Sequence, residues 1–210
     1  MKVGVLSDSH IPASTRRVPE QVFRAFDGVE LILHGGDIYT AAALDHLQSL
    51  APVLAVGEGV DHAIGSPRVE VKRVLELEGA RIGMVHCLQL PGVLSEIFPG
   101  TIDLLRHHRE AGLGTRLAPS AGDPGSQRLD VSRALYSVFD TNVDVCIFGD
   151  THYEVLEYHD EVLLLNPGSP TLPHQMMRLG TVCVMEVNDG RVTARLVPLS
   201  ELPGPPPAYI

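Results

Sequence analysis

The chain opens on a short apolar run, Lys2 to Ser7 (KVGVLS), that ends at a polar turn; Val18 to Phe26 then carries apolar residues at helical spacing, with Pro19 near its start. The pattern predicts a strand followed by a helix. Glu30 to His34 (ELILH) repeats the strand, Thr40 stands where an N-cap belongs for a helix over Ala41–Leu50, and Pro52 to Val56 (PVLAV) supplies a third strand. Such alternation predicts a parallel sheet with right-handed crossovers. Further along, strand-like segments come in pairs. Val69 to Leu77 and Ala80 to His86 flank Glu78-Gly79, Glu154–Tyr158 and Val162–Leu165 flank Asp160-Glu161, and Thr181–Val187 and Arg191–Pro198 flank Asn188-Asp189-Gly190. Each pair reads as a hairpin. Val143 to Phe148 (VDVCIF) is a further buried strand. The sum is an α/β protein: a mixed β-sandwich with helices on its outer faces.

Between His86 and Val143 the pattern weakens. A helix around Thr101–Ala111 and a better-marked one over Arg128–Phe139 are separated by Gly112 to Gln127, whose Gly, Pro and Ser content supplies no periodic apolar face. That stretch reads as a loop. Pro203 to Pro207 (PGPPP) marks an extended tail with little core to join. The expected organisation is one domain over 1–200 with an insertion near 88–142, then a C-terminal tail over 201–210.

Composition narrows the function. A chain of 210 residues with 44% hydrophobic content can bury a proper core. Sixteen basic residues against 26 acidic ones give a formal charge of −10, which argues against a broad surface for nucleic acid or anionic membrane. A polyanionic substrate would need local help, and metal ions are the obvious source. Cys87, Cys146 and Cys183 are odd in number and widely spaced, so buried thiols are expected rather than a disulfide framework. The chain enters a strand at once, without the pattern of a signal peptide, and no stretch approaches about 18 consecutive apolar residues. A soluble cytoplasmic protein is expected.

Four polar islands follow strand-like runs: Asp8-Ser9-His10, Gly36-Asp37, His86 and Asp150-Thr151-His152. Strands of a layered α/β sheet end along a common edge, so residues far apart in sequence can converge on one crevice there. Taken singly, each island has an ordinary explanation. Asp8 and His10 suit a strand-to-loop turn, Asp37 after Gly35-Gly36 suits a helix cap, and His86 suits a core or edge position. Together they supply the carboxylates and imidazoles of a divalent-metal site. Asp150 and His152 repeat the two-apart spacing of Asp8 and His10, so the two pairs can face each other across one crevice.

In order, these islands resemble the calcineurin-like metallophosphoesterase superfamily, most closely its small single-domain phosphodiesterases. That family's pattern is D-x-H, G-D, G-N-x-D, a strand ending in H-G-H, and G-H-x-H. The matching residues are Asp8-Ser9-His10, Gly36-Asp37, His86 and Gly149-Asp150-Thr151-His152, followed by a similar Asn166-Pro167-Gly168-Ser169. The resemblance implies a two-layer β-sandwich flanked by helices, the αββα metallophosphoesterase fold. It also implies one or two divalent metal ions, manganese by preference, with iron, zinc or nickel as alternatives. By position, Asp8, His10 and His152 would hold the first ion, Asp37 would bridge, and His86 and Asp150 would hold the second. The implied activity is hydrolysis of a small phosphodiester substrate.

The chain departs from that pattern at the second ion. Val56-Gly57-Glu58-Gly59-Val60-Asp61 has Gly59 where the family's ligating asparagine stands and Val60 where many relatives carry a catalytic histidine. Asp150 replaces the first histidine of G-H-x-H, and H-G-H is reduced to His86-Cys87-Leu88. Glu58 could supply the lost oxygen or simply be solvated. His62 could act as general acid or be a surface loop residue. His34 reads as packed beneath the site, and His174 as a rim residue. His107 and His108, beside Arg106 and Arg109, suit a solvated helix face or a phosphate clamp. Asn166 to Ser169 is expected to support the ligand loops. Two rival readings follow: a non-catalytic interaction scaffold of the same fold, and a single-metal hydrolase in which Asp150 orients water. The long 88–142 insertion suits a lid over the crevice or a contact between copies in a homo-oligomer.

Overall fold

Alternating strand and helix in the first third of the chain folds as its period predicts. The structure, a computed structural model, describes residues 1–88, 131–159 and 161–210. Strands β1 (Lys2–Leu6), β2 (Leu31–His34) and β3 (Val53–Val56) pair in parallel, and helices α1 (Glu20–Ala25) and α2 (Ala41–Gln48) connect them. Beyond β3 come helix α3 (Val60–Ala63) and strand β4 (Val69–Glu70), then β5 (Lys72–Leu77) and β6 (Ala80–Val85). Helix α4 (Val131–Phe139), β7 (Val145–Ile147), β8 (Glu154–His159), β9 (Val162–Pro167), β10 (Thr181–Asn188) and β11 (Arg191–Pro198) complete the described elements. They form a six-stranded sheet, β11-β10-β1-β2-β3-β4, and a five-stranded sheet, β5-β6-β7-β9-β8.

Strand periodicity sets the layers. On β1, Val3 and Val5 join Ile82, Met84, Val145 and Met185 in a core between the sheets, while Leu6 points outward to Phe26, Leu44 and Leu47. On the far side, Leu135 and Phe139 of α4 cover Cys146 and Leu164. The order is helix, sheet, sheet, helix, the αββα sandwich that the resemblance implies. Two glycines let the outer helices sit close. A Cβ on Gly4 would lie 2.9 Å from the Phe26 ring, and one on Gly83 would lie 2.8–3.0 Å from the Phe139 ring.

Several expectations are corrected. Val69 to Leu77 is not one strand. β4 pairs with β3 in the first sheet and β5 pairs with β6 in the second, the chain changing sheets at the exposed Val71. Alternation is indifferent to which sheet a residue joins, so the sequence hides this break. Thr40 sits at the start of α2, but its hydroxyl donates to the Ile11 carbonyl and makes no cap. The residues after Gly59 form α3 rather than an open loop. The tail is extended but tied down: Gln21 Nε2 donates to the Pro205 carbonyl, and Tyr209 pairs with Thr15 in a β-bridge. An extended proline-rich segment leaves its carbonyls free to accept such bonds. Hairpins form at Glu78-Gly79 and Asp189-Gly190, where all four residues have positive φ, as two-residue turns require. The helix expected over Thr101–Ala111, the loop over 112–127 and any lid or oligomer role of that insertion lie outside the described residues. Among the described residues no helix is long and apolar enough to cross a membrane.

Candidate metal centre

Each candidate ligand follows the C-terminal end of a parallel strand. Asp8 and His10 follow β1, Asp37 follows β2, His86 follows β6, and Asp150 and His152 follow β7. The loops are laced together by backbone bonds: Asp8 N–H to the Gly36 carbonyl at 2.8 Å, His10 N–H to the Asp37 carbonyl at 2.8 Å, and Gly149 N–H to the His86 carbonyl at 3.0 Å. Asp8, His10, Asp37, Asp150 and His152 all have φ between 49° and 68°. Left-handed backbone is uncommon outside glycine, and such residues persist where their surroundings fix them, often at functional sites. Gly36, at φ 108°, permits the tightest approach: a Cβ there would lie 2.3 Å from His86 Nδ1.

Two groups of ligand atoms result. Asp8, His10, Asp37 and His152 present atoms within 4.8 Å of one another, and so do His86, Cys87 and Asp150. In the first group, His10 Nε2 lies 2.9 Å from His152 Nε2 and 3.0 Å from Asp37 Oδ2. Asp37 Oδ1 lies 3.5 Å from His86 Nε2, so this carboxylate spans the gap between the groups. The imidazoles are oriented from behind. His152 Nδ1 donates to the Leu172 carbonyl at 2.7 Å, and His86 Nδ1 donates to the Gly35 carbonyl at 2.8 Å. Both leave Nε2 turned toward the cluster, as metal-binding histidines require.

Asp8 shows that the residues fit a cation. It is fully buried, Oδ1 accepts from Asp150 N–H at 3.0 Å, and Oδ2 has no hydrogen-bond partner among the described residues. Such an oxygen is costly without a positive charge nearby. Burial accordingly raises the Asp8 pKa to about 7, against lowering by His86 and Ser7. Burial also works to raise Asp37, but hydrogen bonds from His10 and His86 outweigh it and hold this carboxyl far below its usual range. His86 is opposed by burial yet raised to about 9 by Asp37 and Asp8, whereas burial lowers His152. A cation would substitute for the protons these groups otherwise share.

The flanking residues divide by role. His34 is fully buried, with Nε2 3.0 Å from Ser9 Oγ and Nδ1 accepting from Gly36 N–H, so it braces the loops from beneath. Burial pushes its pKa down to about 3, which keeps it neutral. Asn166 donates to the Gly149 carbonyl and Ser169 Oγ to the Asp8 carbonyl, so this turn supports both ligand loops. His174 stacks on Tyr153 at 4.4 Å and pairs with Glu154 at 3.0 Å; its N–H donates to the His152 carbonyl. Glu58 is exposed, although its charge reaches Cys87; His62 is exposed on α3 and belongs to neither ligand group. His107, His108, Arg106 and Arg109 lie outside the described residues.

Sequence reasoning missed three contributors. Asp61 is buried and accepts from Ile38 N–H and Tyr39 N–H at 2.8–3.0 Å, anchoring the loop that carries Asp37. The Tyr39 ring packs edge-on against His10 at 4.8 Å. Cys87 is half-buried and joins the second group, while Cys146 and Cys183 are buried and unpaired as expected. The signal for Cys87 was its place directly after His86.

Comparison with known proteins agrees with this geometry. Residues 1–190 match the model of the calcineurin-like phosphoesterase superfamily domain. A probable metallophosphoesterase of Methanothermobacter thermautotrophicus is 31% identical over 199 residues, covering 94% of this chain and 92% of that one. A single mutant of Vps29 from Entamoeba histolytica superposes with a TM-score of 0.60 at 20% identity, over 94% of this chain and 99% of that one. A novel archaeal phosphodiesterase superposes with a TM-score of 0.57 at 17% identity, over 94% and 100%. At these identities the two structures share the fold with this chain.

Proposed function

The chain belongs to the calcineurin-like phosphoesterase superfamily, and on that premise we propose that it hydrolyses small phosphodiesters with divalent cations held at the strand-end cluster. The observation that carries this reading is the fully buried Asp8 carboxylate, one oxygen of it without a partner among the described residues, grouped with His10, Asp37 and His152. Asp8, His10 and His152 would hold a first ion, Asp37 would bridge, and His86 and Asp150 would belong to a second. The ions would lower the pKa of bound water and offset phosphoryl charge as it builds. The protein's part is positional: stiff strand ends and the Leu172 and Gly35 carbonyls hold the imidazoles in one tautomer.

Asp150 is exposed and left-handed; were the site to hold a single ion, Asp150 would orient a water instead of binding metal. His62 is the proposed general acid, because Val60 has no proton to give the leaving group. Manganese is the ion we expect at the oxygen- and nitrogen-lined first group. Its unpaired thiols suit a reducing compartment, and the cytoplasm is the location we propose.

The test is hydrolysis of a chromogenic phosphodiester by metal-stripped protein as manganese is added, beside an Asp37→Asn control. Turnover that rises with manganese and vanishes in the control is expected. Turnover equal to the control at saturating metal would sink the enzymatic reading. It would favour the second one, a non-catalytic interaction scaffold, for which Gly59 and Val60 in place of the family's Asn and His already speak.

A further inference from the structure

We propose that Cys87 is a metal ligand, completing with His86 and Asp150 a second cation site of nitrogen, sulfur and oxygen donors that selects zinc over manganese. The inference rests on the metal-dependent reading above and deepens it. It begins at Gly59, where the family's asparagine is missing. Gly59 has φ 51° and ψ −110°, a mirror-β conformation that glycine alone adopts without strain. A residue with a side chain would be strained on this backbone, and the loop as folded offers no ligand at that position. A replacement has to come from another wall of the crevice.

The opposite wall provides one. Cys87 follows His86 at the end of β6, and its Sγ lies with a His86 nitrogen and an Asp150 oxygen inside a group no wider than 4.8 Å. The Cys87 sulfur and an Asp150 carboxylate oxygen lie within 4.8 Å of each other. Ligand atoms sharing a tetrahedral zinc stand about 3.3–3.7 Å apart at ordinary bond lengths of about 2.0–2.3 Å. Closure by about 1 Å is a side-chain adjustment. Cys87 is half-buried with its sulfur in the second ligand group, whereas Cys146 and Cys183 are sealed in separate apolar cores away from the ligands. Asp37 belongs to the first group, but its Oδ1 lies 3.5 Å from His86 Nε2 and would serve as a shared fourth ligand. Three protein ligands with a bridging carboxylate give four donors, the number zinc prefers. Thiolate is a soft donor that suits zinc and disfavours manganese, whose preferred donors are carboxylate, carbonyl and water. The two groups therefore differ in chemistry: oxygen and nitrogen at the first, sulfur-containing at the second.

The experiment is a cobalt(II) titration of the reduced, metal-stripped full chain, followed by near-ultraviolet absorption and by bound cobalt per chain, with Cys87→Ser and Cys87→Ala beside it. A thiolate-to-cobalt charge-transfer band is expected in the unmodified protein. Both variants should lose it along with one bound ion, while visible cobalt absorption from the first group is retained. Cobalt binding in the unmodified protein without that band overturns the inference and leaves the first group standing as a metal site. A band that persists in both variants overturns it as well. No cobalt binding at all overturns it together with the proposed function.

Discussion

Asp61 belongs to neither ligand group, yet its carboxylate holds the loop that presents Asp37. Replacing it by alanine leaves the Ile38 and Tyr39 N–H groups without partners in a buried place. Asp61→Ala is expected to cost about 2–4 kcal/mol in urea unfolding of the metal-free protein, since each orphaned buried donor costs about 1–3 kcal/mol. It should also weaken metal binding, whereas Asp61→Asn, which keeps one oxygen, should do less of both. The titrating ligands make a second prediction. His86 is raised from 6.5 to about 9, so the stability it contributes is complete below its unfolded value and is lost as pH rises through about 9. Asp8 is raised from 3.8 to about 7, so its contribution is present in its protonated form and fades as pH rises through about 7. Both slopes have one sign above the range in which Asp37 titrates. The melting temperature of metal-free protein should therefore fall between about pH 7 and pH 9, above the range in which the neutral His34 and His152 favour folding as pH rises. Saturating zinc should flatten or reverse that fall, because an ion prefers the deprotonated ligands. A flat profile in metal-free protein would contradict the pairing described for His86 and Asp8.

The elements carry the site by ending together. Parallel β1 and β2 in one sheet and parallel β6 and β7 in the other stop along one rim, so every ligand can sit in the loop just beyond a rigid strand. The outer helices pack close on the two sheets at two small residues. Gly4 and Gly83 each receive an aromatic ring, Phe26 and Phe139, at a distance that leaves no room for a Cβ. Gly83→Ala is expected to destabilise the fold by about 1–3 kcal/mol, the usual cost of overpacking. It should leave metal stoichiometry unchanged, because Gly83 meets Phe139 on the helix side of its sheet while the ligands lie in the loops beyond the strand ends. A loss of bound metal in that variant, measured after refolding, would show that helix packing and site geometry are coupled more tightly than this.

For the whole molecule, metal binding and stability are linked, since the unfolded chain scatters the ligands. An ion at about 100 times its Kd should add about 2.7 kcal/mol to folding, seen as a thermal shift that a chelator reverses. Much of this was legible beforehand. Apolar runs ending in Asp-x-His, Gly-Asp, His and Asp-x-His marked strands and ligands alike, because a buried strand must be apolar and its end is where polar groups first reach water. The change of sheet at Val71 was not legible, since alternation is the same whichever sheet a strand joins. Nor was Asp61, whose bonds run to Ile38 and Tyr39, over twenty positions away in the chain. Cys87 looked like another buried thiol until the fold brought Asp150 beside it. Local period and side-chain chemistry were enough for most strands, for the turns at Glu78-Gly79 and Asp189-Gly190 and for the residue types able to bind metal, but not for the break between β4 and β5. Only the tertiary structure decided which residues share a cluster, which oxygen is left without a partner and which thiol joins a ligand group, because those depend on distances between segments that no local pattern contains.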